Sequence, residues 1–284
     1  MSRGLLTPVM DAPVDWVCPV NWMHSLNRGL VSWFLCVPGA TGGKTWPDLC
    51  RNHTATLTNM DPQLDWALNR RQGGWGCLDF DGSNDYVQTT IVRPTPTDNF
   101  TWSAWCKMDG SANTPDQKTI VGARTSSGTL EIILYQERDG VLQVQTEAAT
   151  SSFGVSISFG AWAQYVMSWD GTTMRGYKNG TIAPSTATPT WGITLSANLQ
   201  IGAQGTTFDE LFGQMDDVRI YNRCLSSLEI KSLYEISQQY NHGLLNRVRW
   251  SLPFVEAASA VIGTIPFAAV MSQQKRSLVY GGAF

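Results

Sequence analysis

The sequence predicts an all-β protein: a two-sheet antiparallel sandwich with one short C-terminal helix and extended terminal arms. Three observations carry this. The chain holds 26 Gly, 13 Pro and 12 Trp but only 15 % charged residues, a composition suited to short strands and tight turns. Apolar and polar residues alternate with period two in segment after segment, and Asp-Gly or Asn-Gly signals punctuate them. At 284 residues the chain exceeds the roughly 200 residues of a large single sandwich, so one core domain with appended segments is the natural division.

The segments support this in order. Residues 1–28 are broken by Pro8, Pro13 and Pro19, and Trp16 and Trp22 follow neither a strand nor a helix period, so they read as an N-terminal extended arm. From Gly29 the pattern changes. Residues 30–35 form a first strand, followed by a loop with Pro38, Gly39, Gly42 and Gly43. Leu78 and Phe80 take one face of the next clear strand, Asp79 and Asp81 the other, and Gly82 turns the chain. Phe100, Trp102, Ala104, Cys106 and Met108 share one side of a longer strand, which predicts a buried face.

Residues 129–135 and 141–147 flank the hairpin signal Arg138-Asp139-Gly140, residues 162–169 and 172–178 flank Asp170-Gly171, and Asn179-Gly180 turns the chain again. Residues 199–202 and 212–221 complete the strands. Ser226 and Glu229 then have capping-box spacing, with Leu225 and Ile230 placed to form a hydrophobic staple, which starts a short helix. The sandwich so defined spans residues 29–237, and residues 238–284 are a C-terminal apolar arm. Residues 252–271 are mostly apolar but contain Pro253, Glu256, Gly263 and Pro266, which argues against a membrane span.

The formal net charge of −3, with no cluster of Lys and Arg among aromatics, argues against a nucleic-acid partner. The N-terminal residues show no basic stretch followed by an apolar one, so the expectation is assembly in a host cytoplasm rather than secretion. The six cysteines are scattered without zinc spacing. Free, mostly buried thiols are the favoured reading, with a Cys36–Cys50 disulfide as the alternative. Sequons at Asn52, Asn99 and Asn179 are read as coincidental, since Asn179 already belongs to a turn.

Four blocks carry a resemblance: Leu78-Asp-Phe-Asp-Gly-Ser-Asn-Asp-Tyr-Val, Trp169-Asp-Gly-Thr-Thr-Met-Arg-Gly-Tyr-Lys-Asn-Gly, Gln200-Ile-Gly-Ala, and Phe212-Gly-Gln-Met-Asp-Asp-Val-Arg-Ile-Tyr-Asn-Arg-Cys-Leu-Ser-Ser-Leu-Glu-Ile. Together, in this order, they resemble laminin-G-like jelly-roll domains of the concanavalin-A-like superfamily over about residues 28–237. The resemblance implies two packed antiparallel sheets and a family that mostly binds glycans or proteins and often holds one calcium ion. Cys224 stands where that family usually has a small residue, which adds a thiol near the helix. Fold alone does not assign the function.

Three chemistries follow to be tested on this frame. A glycosidase of such a sandwich needs acids in step on one strand face. Glu131 and Glu137 are too far apart in sequence for this, Asp79 and Asp81 lack a third acid, and His24, His53 and His242 have no nucleophile set beside them, so an enzyme is not expected. Calcium is the second. Asp79, Asp81, Asn84 and Asp85 crowd one turn and Asp216 and Asp217 lie in another signature block, so loops could pool oxygens for Ca2+. The alternative is that these side chains merely tie turns and strands. Glycan stacking is the third: Trp46, Trp75 and Trp191 fall in Gly- and Pro-rich loops and either form a platform or pack beneath their own loops, while Trp102, Trp162 and Trp169 fall on strands and are core candidates.

The arms suggest assembly. Trp16 and Trp22 in one arm and Phe254, Ile262, Ile265 and Phe267 in the other would be an aggregation hazard if exposed together, and make sense buried on neighbouring subunits. This combination resembles virion proteins of tailed bacteriophages, with an outward sandwich anchored by its arms. The leading expectation is therefore a non-enzymatic capsid decoration or minor capsid subunit at the virion surface. Its partners would be the major capsid protein and copies of itself, with weak binding of cell-surface glycans as a further role. The competing expectation is a carbohydrate-binding or adhesion module of a bacterial surface protein.

Overall fold

The computed structural model describes residues 20–36, 43–67, 76–110, 117–124, 130–190, 197–204 and 209–247. The chain divides into two compact units, residues 1–242 and 243–284, and of the second only residues 243–247 are described. After a 3-10 turn at Ser25–Asn27, the strands in chain order are β1 (Leu30–Phe34), β2 (Ala55–Thr58), β3 (Trp66–Ala67), β4 (Cys77–Asp81), β5 (Tyr86–Val92), β6 (Phe100–Met108), β7 (Lys118–Arg124), β8 (Leu130–Gln136), β9 (Val141–Thr146), β10 (Thr150–Ser156), β11 (Ala163–Trp169), β12 (Met174–Lys178), β13 (Thr181–Ala187), β14 (Asn198–Ile201) and β15 (Phe212–Tyr221). The helix α1 (Ser227–Arg247) follows. Among the described residues no helix is long and apolar enough to cross a membrane.

The strands form two sheets. One runs β13-β12-β11-β6-β15-β4-β3, with β1 also paired to β15; the other runs β10-β9-β8-β7-β14-β5-β2. Every strand pairing within them is antiparallel. The sandwich expected from the sequence is thus the fold observed. The core between the sheets takes Phe100, Trp102, Ala104, Cys106 and Met108 from β6, as their alternation predicts, together with Phe34, Phe80, Leu134, Phe153, Met167 and Met215. Asn179 and Gly180, with φ of 52° and 74°, make the two-residue turn between β12 and β13. At the far ends of both sheets β10 and β13 close on one another: Gly154 sits where a Cβ would lie 3.1 Å from Pro184, and Lys178 Nζ donates to Ser156 O at 2.6 Å. That closure leaves little free strand edge there.

The helix is built as its caps predict. Ser226 N donates to Glu229 Oε2 at 2.9 Å and Glu229 N to Ser226 Oγ at 3.3 Å, while Leu225 and Ile230 are both buried. It covers the outer face of the β6-containing sheet. Trp105, on the face of β6 opposite the core, stacks on Tyr234 with ring centroids 5.6 Å apart and donates from Nε1 to Ser237 Oγ at 3.0 Å. This explains why nearly every residue of β6 is buried, on both faces.

Residues 20–28, the described part of the expected N-terminal extended arm, are part of this covering. Val20, Leu26 and Asn27 are buried, His24 Nδ1 accepts from Leu26 N to cap the 3-10 turn, and Arg223 Nε donates to Arg28 O at 2.6 Å. The physical reason is what lies beneath. In β15 the register against β6 slips between Asp216 and Arg219, and Asp217 adopts φ +53°, so a bulge turns Asp216 and Asp217 both away from the core. Arg219 donates from Nε to Asp217 Oδ1 at 2.7 Å and from a terminal nitrogen to Oδ2 at 3.0 Å, and its guanidinium lies 4.0 Å from the Trp33 ring centroid. Trp33 Nε1 donates to Asp217 Oδ1 at 2.7 Å. Such a pair needs a roof.

Asp217→Ala leaves the Arg219 charge buried without its carboxylate, which costs about 3–5 kcal/mol. Urea denaturation should show a loss of that order with the m-value unchanged; a loss below about 1 kcal/mol would mean that the pair is not what holds β15 to β1.

Candidate functional site

The sequence-predicted sites come first. The turn between β4 and β5 is closed from within. Asp81 Oδ1 accepts from Ser83 N at 2.7 Å and Asn84 N at 3.4 Å, and buried Asp85 accepts from Asp81 N through Oδ2 at 3.1 Å. Asp79 lies opposite Gln214 of β15. Asp216 accepts from Cys36 N at 2.9 Å, and Asp217 is held by Arg219 and Trp33. The six predicted calcium residues are therefore divided among four separate arrangements. Among the described residues no group of three or more His, Cys, Asp or Glu side chains can hold a metal ion.

The stacking platform fares similarly. Trp46 is 1 % exposed and packs against Phe34 (5.9 Å between centroids) and edge-on against Trp66 (6.3 Å). It is a core residue because Trp46 N donates to Ala55 O and Thr45 bridges Thr56, which folds this segment over the end of the sandwich. Trp75 and Trp191 lie outside the described residues, as do Trp16, Phe254, Ile262, Ile265 and Phe267. Trp22 is 52 % exposed beside Met23, which is 94 % exposed. Cys36, Cys50, Cys77, Cys106 and Cys224 are free thiols, so Cys36 and Cys50 are not paired; burial pushes Cys50 and Cys77 up to about 12.

The place where polar chemistry gathers is one that sequence reasoning missed: the outer face of the β7-containing sheet. Val121, Ile132 and Leu134 point into the core. The alternate positions point out, and the register lines up Thr119, Tyr135 and Gln143 in one row and Gln88, Gln200, Gly122, Ile133 and Gln145 in the next. Glutamine dominates. Gln200 Nε2 donates to Gln88 Oε1 at 2.8 Å.

Two linked clusters sit on this face. In the first, Tyr135 OH donates to Glu137 Oε2 at 2.9 Å with Gln143 Oε1 a second acceptor at 3.2 Å, Gln117 Nε2 donates to Glu137 Oε2 at 2.8 Å, and Arg138 N donates to Oε1 at 3.0 Å. Burial alone would raise the Glu137 carboxyl, but these donors outweigh it and hold it below the usual carboxylate range. In the second, Arg124 donates to Gln204 Oε1 at 3.0 Å and Gln204 Nε2 donates to Asp209 Oδ2. Burial raises the Asp209 carboxyl, helped by the charge of Glu137 and opposed by Gln204, Arg124 and Arg138.

Asp209 O accepts from Thr119 N at 2.9 Å, which joins the two clusters along β7. Gly122 makes the crossing possible: a Cβ there would lie 2.5 Å from Ile133 Cγ2 and 3.3 Å from Gln204 Cβ. Its missing side chain lets Gln204 lie flat on the sheet. The strands carrying Gln143, Gln145 and Gln200 were legible; that Thr119, Tyr135, Gln143, Gln200 and Gln204 are buried while Gln88, Gln117, Glu137, Gln145 and Asp209 stay partly exposed was not.

One sheet face closed by a helix and the other carrying a hydrogen-bonding strip define a lectin-like sandwich. The sequence signature of the concanavalin A-like lectin/glucanases superfamily, laminin G type, matches residues 81–231, just over half of the chain. The chain belongs to this superfamily. No match was found among curated proteins. Among solved structures, the binding domain of Paraclostridial Mosquitocidal Protein 1 is similar with a TM-score of 0.56 at 13 % identity, covering 74 % of this chain and 52 % of that one. A mutant Trypanosoma rangeli sialidase displaying trans-sialidase activity is similar with a TM-score of 0.55 at 20 % identity, covering 75 % of this chain and 33 % of that one. The chain thus spans about a third of the sialidase and half of the toxin domain, and at these identities the likeness is one of fold.

The turn at Asp85 gives a pH test. Burial raises its carboxyl to about 6, with the charges of Asp81, Asp65 and Asp79 adding to the effect and the Asp81 N–H opposing it. A carboxyl raised in the folded state penalises folding above that value, and the penalty fades as pH falls from about 7 toward 4. Asp85→Asn should therefore raise Tm at pH 7.5 and flatten the Tm profile between pH 4.5 and 7.5. Overlapping profiles for the two proteins would show that the turn carries no such penalty.

Proposed function

We propose that the chain is a non-enzymatic carbohydrate-binding module whose ligand lies on the outer face of the β7-containing sheet. One observation carries the reading: the partly exposed Gln88, Gln117, Glu137, Gln145 and Asp209 line that face, with Gln117 and Glu137 tied together over the buried Tyr135 and Gln88 tied to the buried Gln200, while the opposite sheet is roofed by α1 and residues 20–28. Amides and carboxylates on a rigid support suit hydroxyl groups, because each can accept or donate without first ordering itself. The similar toxin structure is a binding domain and the other similar structure is a sialidase, and both agree with this use of the fold. Catalysis is not favoured by the geometry. Both Glu137 oxygens are occupied by protein donors, and burial together with Glu137 pushes the Tyr135 hydroxyl well above its ordinary value, so neither is poised as a base or nucleophile.

A glycan array probed with the full chain tests this directly. Binding to at least one glycan class, with no release of reducing ends on prolonged incubation, is the expected result; a blank array or measurable hydrolysis would refute it.

A second reading is a structural subunit of a tailed-phage virion, a capsid decoration or minor capsid protein. The exposed Trp22 and Met23 favour it, since together they make an apolar tip suited to another subunit. Electron micrographs of native particles labelled with antibody against the sandwich should then show regular decoration of the shell. Recovery of the chain only apart from particles would eliminate the virion role and leave the binding role intact.

A further inference from the structure

The covering over β15 rests on a titratable group used as a structural part. His24 caps the 3-10 turn at Ser25–Asn27, its Nδ1 accepting from Leu26 N at 3.2 Å. A ring nitrogen accepts only while it carries no proton, so this cap requires the neutral imidazole with its hydrogen on Nε2. The rest of the turn is knit around it. Asn27 Nδ2 donates to Asn21 O at 3.0 Å, Met23 N donates to Asn21 Oδ1 at 3.2 Å, and Val20 and Leu26 are buried. Trp22 and Met23 stand exposed at the tip.

The charged groups around His24 come from three elements. From β15, the buried Arg219 acts on it, with its guanidinium committed to Asp217. From the segment before α1, Arg223 donates to Arg28 O and to Ser25 O, and its carboxylate partner is Glu229 of α1 at 2.8 Å. On the turn's own stretch the charged neighbour is Arg28. The segment packed on β1 brings Asp48, which is taken up by Ser32 Oγ and by backbone donors. The geometry points to an acid-released clasp: protonating His24 unties the cap and sets a second cation beside the buried Arg219, so residues 20–28 come away from the sheet and carry Trp22 and Met23 with them. Arg219 keeps Asp217 when water reaches it, which makes the opening local. Burial first, then the Arg219 charge, hold the imidazole below its ordinary 6.5, so the closed turn resists a proton that the open turn takes up. The clasp is therefore fully closed above about pH 7 and loosens as pH falls through 6.5 toward the value in the closed turn. The apolar tip is presented in fixed form near neutrality and released in acid.

Amide hydrogen exchange read by mass spectrometry on the full chain tests this, at pH 7.5 and 5.0 with labelling times scaled for the intrinsic pH dependence of exchange. Wild type is compared with His24→Asn, since asparagine caps a turn without titrating. The expected result is a roughly tenfold loss of protection in wild-type peptides covering residues 20–28 at pH 5.0, the combined effect of a lost cap and a new like-charge neighbour. Peptides from β6 and β11 should keep their protection at both pH values, and His24→Asn should show no loss in residues 20–28. Equal protection at the two pH values overturns the clasp, and a parallel loss in His24→Asn removes His24 as its trigger. Loss spread through β6 and β11 would mean acid unfolding of the sandwich instead. Should His24→Asn not fold, an NMR titration of wild type decides: the Leu26 amide must shift with the same midpoint as the His24 ring, below 6.5, and a Leu26 amide that ignores that midpoint overturns the proposal.

Discussion

Arg219 is 1 % exposed, and a guanidinium so deeply placed cannot be neutralised by losing its proton, so the surrounding structure has to supply an anion and a cover. Asp217 supplies the anion at the expense of a left-handed backbone, which costs a residue with a side chain about 1–2 kcal/mol. Trp33 supplies a flat face and a second hydrogen bond. The demands then spread outward. Asp48 accepts from Ser32 Oγ and from the backbone of Trp33, Cys50, Asn52 and His53, which pins residues 48–53 to β1. Residues 20–28 finish the enclosure: burial lowers the His24 imidazole first, and the nearby Arg219 charge lowers it further. A single buried charge thus fixes the bulge in β15, the attachment of β1 and the path of the chain before it.

This enclosure makes the two outer faces of the sandwich unequal. On the β6 side the polar atoms point at other parts of the same chain: Trp105 at Ser237, Thr101 Oγ1 at Arg223 O, and Tyr177 OH against Ser227 Oγ. On the β7 side the glutamines and acids bond mostly to one another across strands and remain partly open at Gln88, Gln117, Gln145, Glu137 and Asp209. An antiparallel sheet can leave one face partly to water, and on this sheet only those positions are reached from outside.

How much of this was legible depended on whether the signal was local. The β6 alternation, the Asn179-Gly180 turn and the Ser226–Glu229 capping box are encoded within a few residues, and each formed as read. The burial of Trp46 was not local: it depends on a bridge from Thr45 to Thr56 that closes over Phe34. The same holds for Asp216 and Asp217. As consecutive acids in a strand they should face opposite ways, and only the bulge, driven by Arg219, turns both outward. Gln204 and Asp209 were invisible as site residues because nothing in their own segment says that Gln204 folds back over Gly122 and Asp209 onto Thr119, positions distant from them in sequence yet adjacent in space.

The pairing of Gly122 with Gln204 also shows how a polar face survives on a sheet without becoming a sticky edge. Side chains such as glutamine lose much rotamer freedom when ordered, and on an open sheet that cost normally keeps them mobile. Here removal of one Cβ at Gly122 lets Gln204 contact the backbone directly, where Arg124 and Asp209 bracket both ends of its amide. The amide is then as fixed as a backbone group. Because its amides and carboxylates bond to one another, their order needs nothing from outside the chain. The spacing of these donors and acceptors is set by the register of β7 and its neighbours.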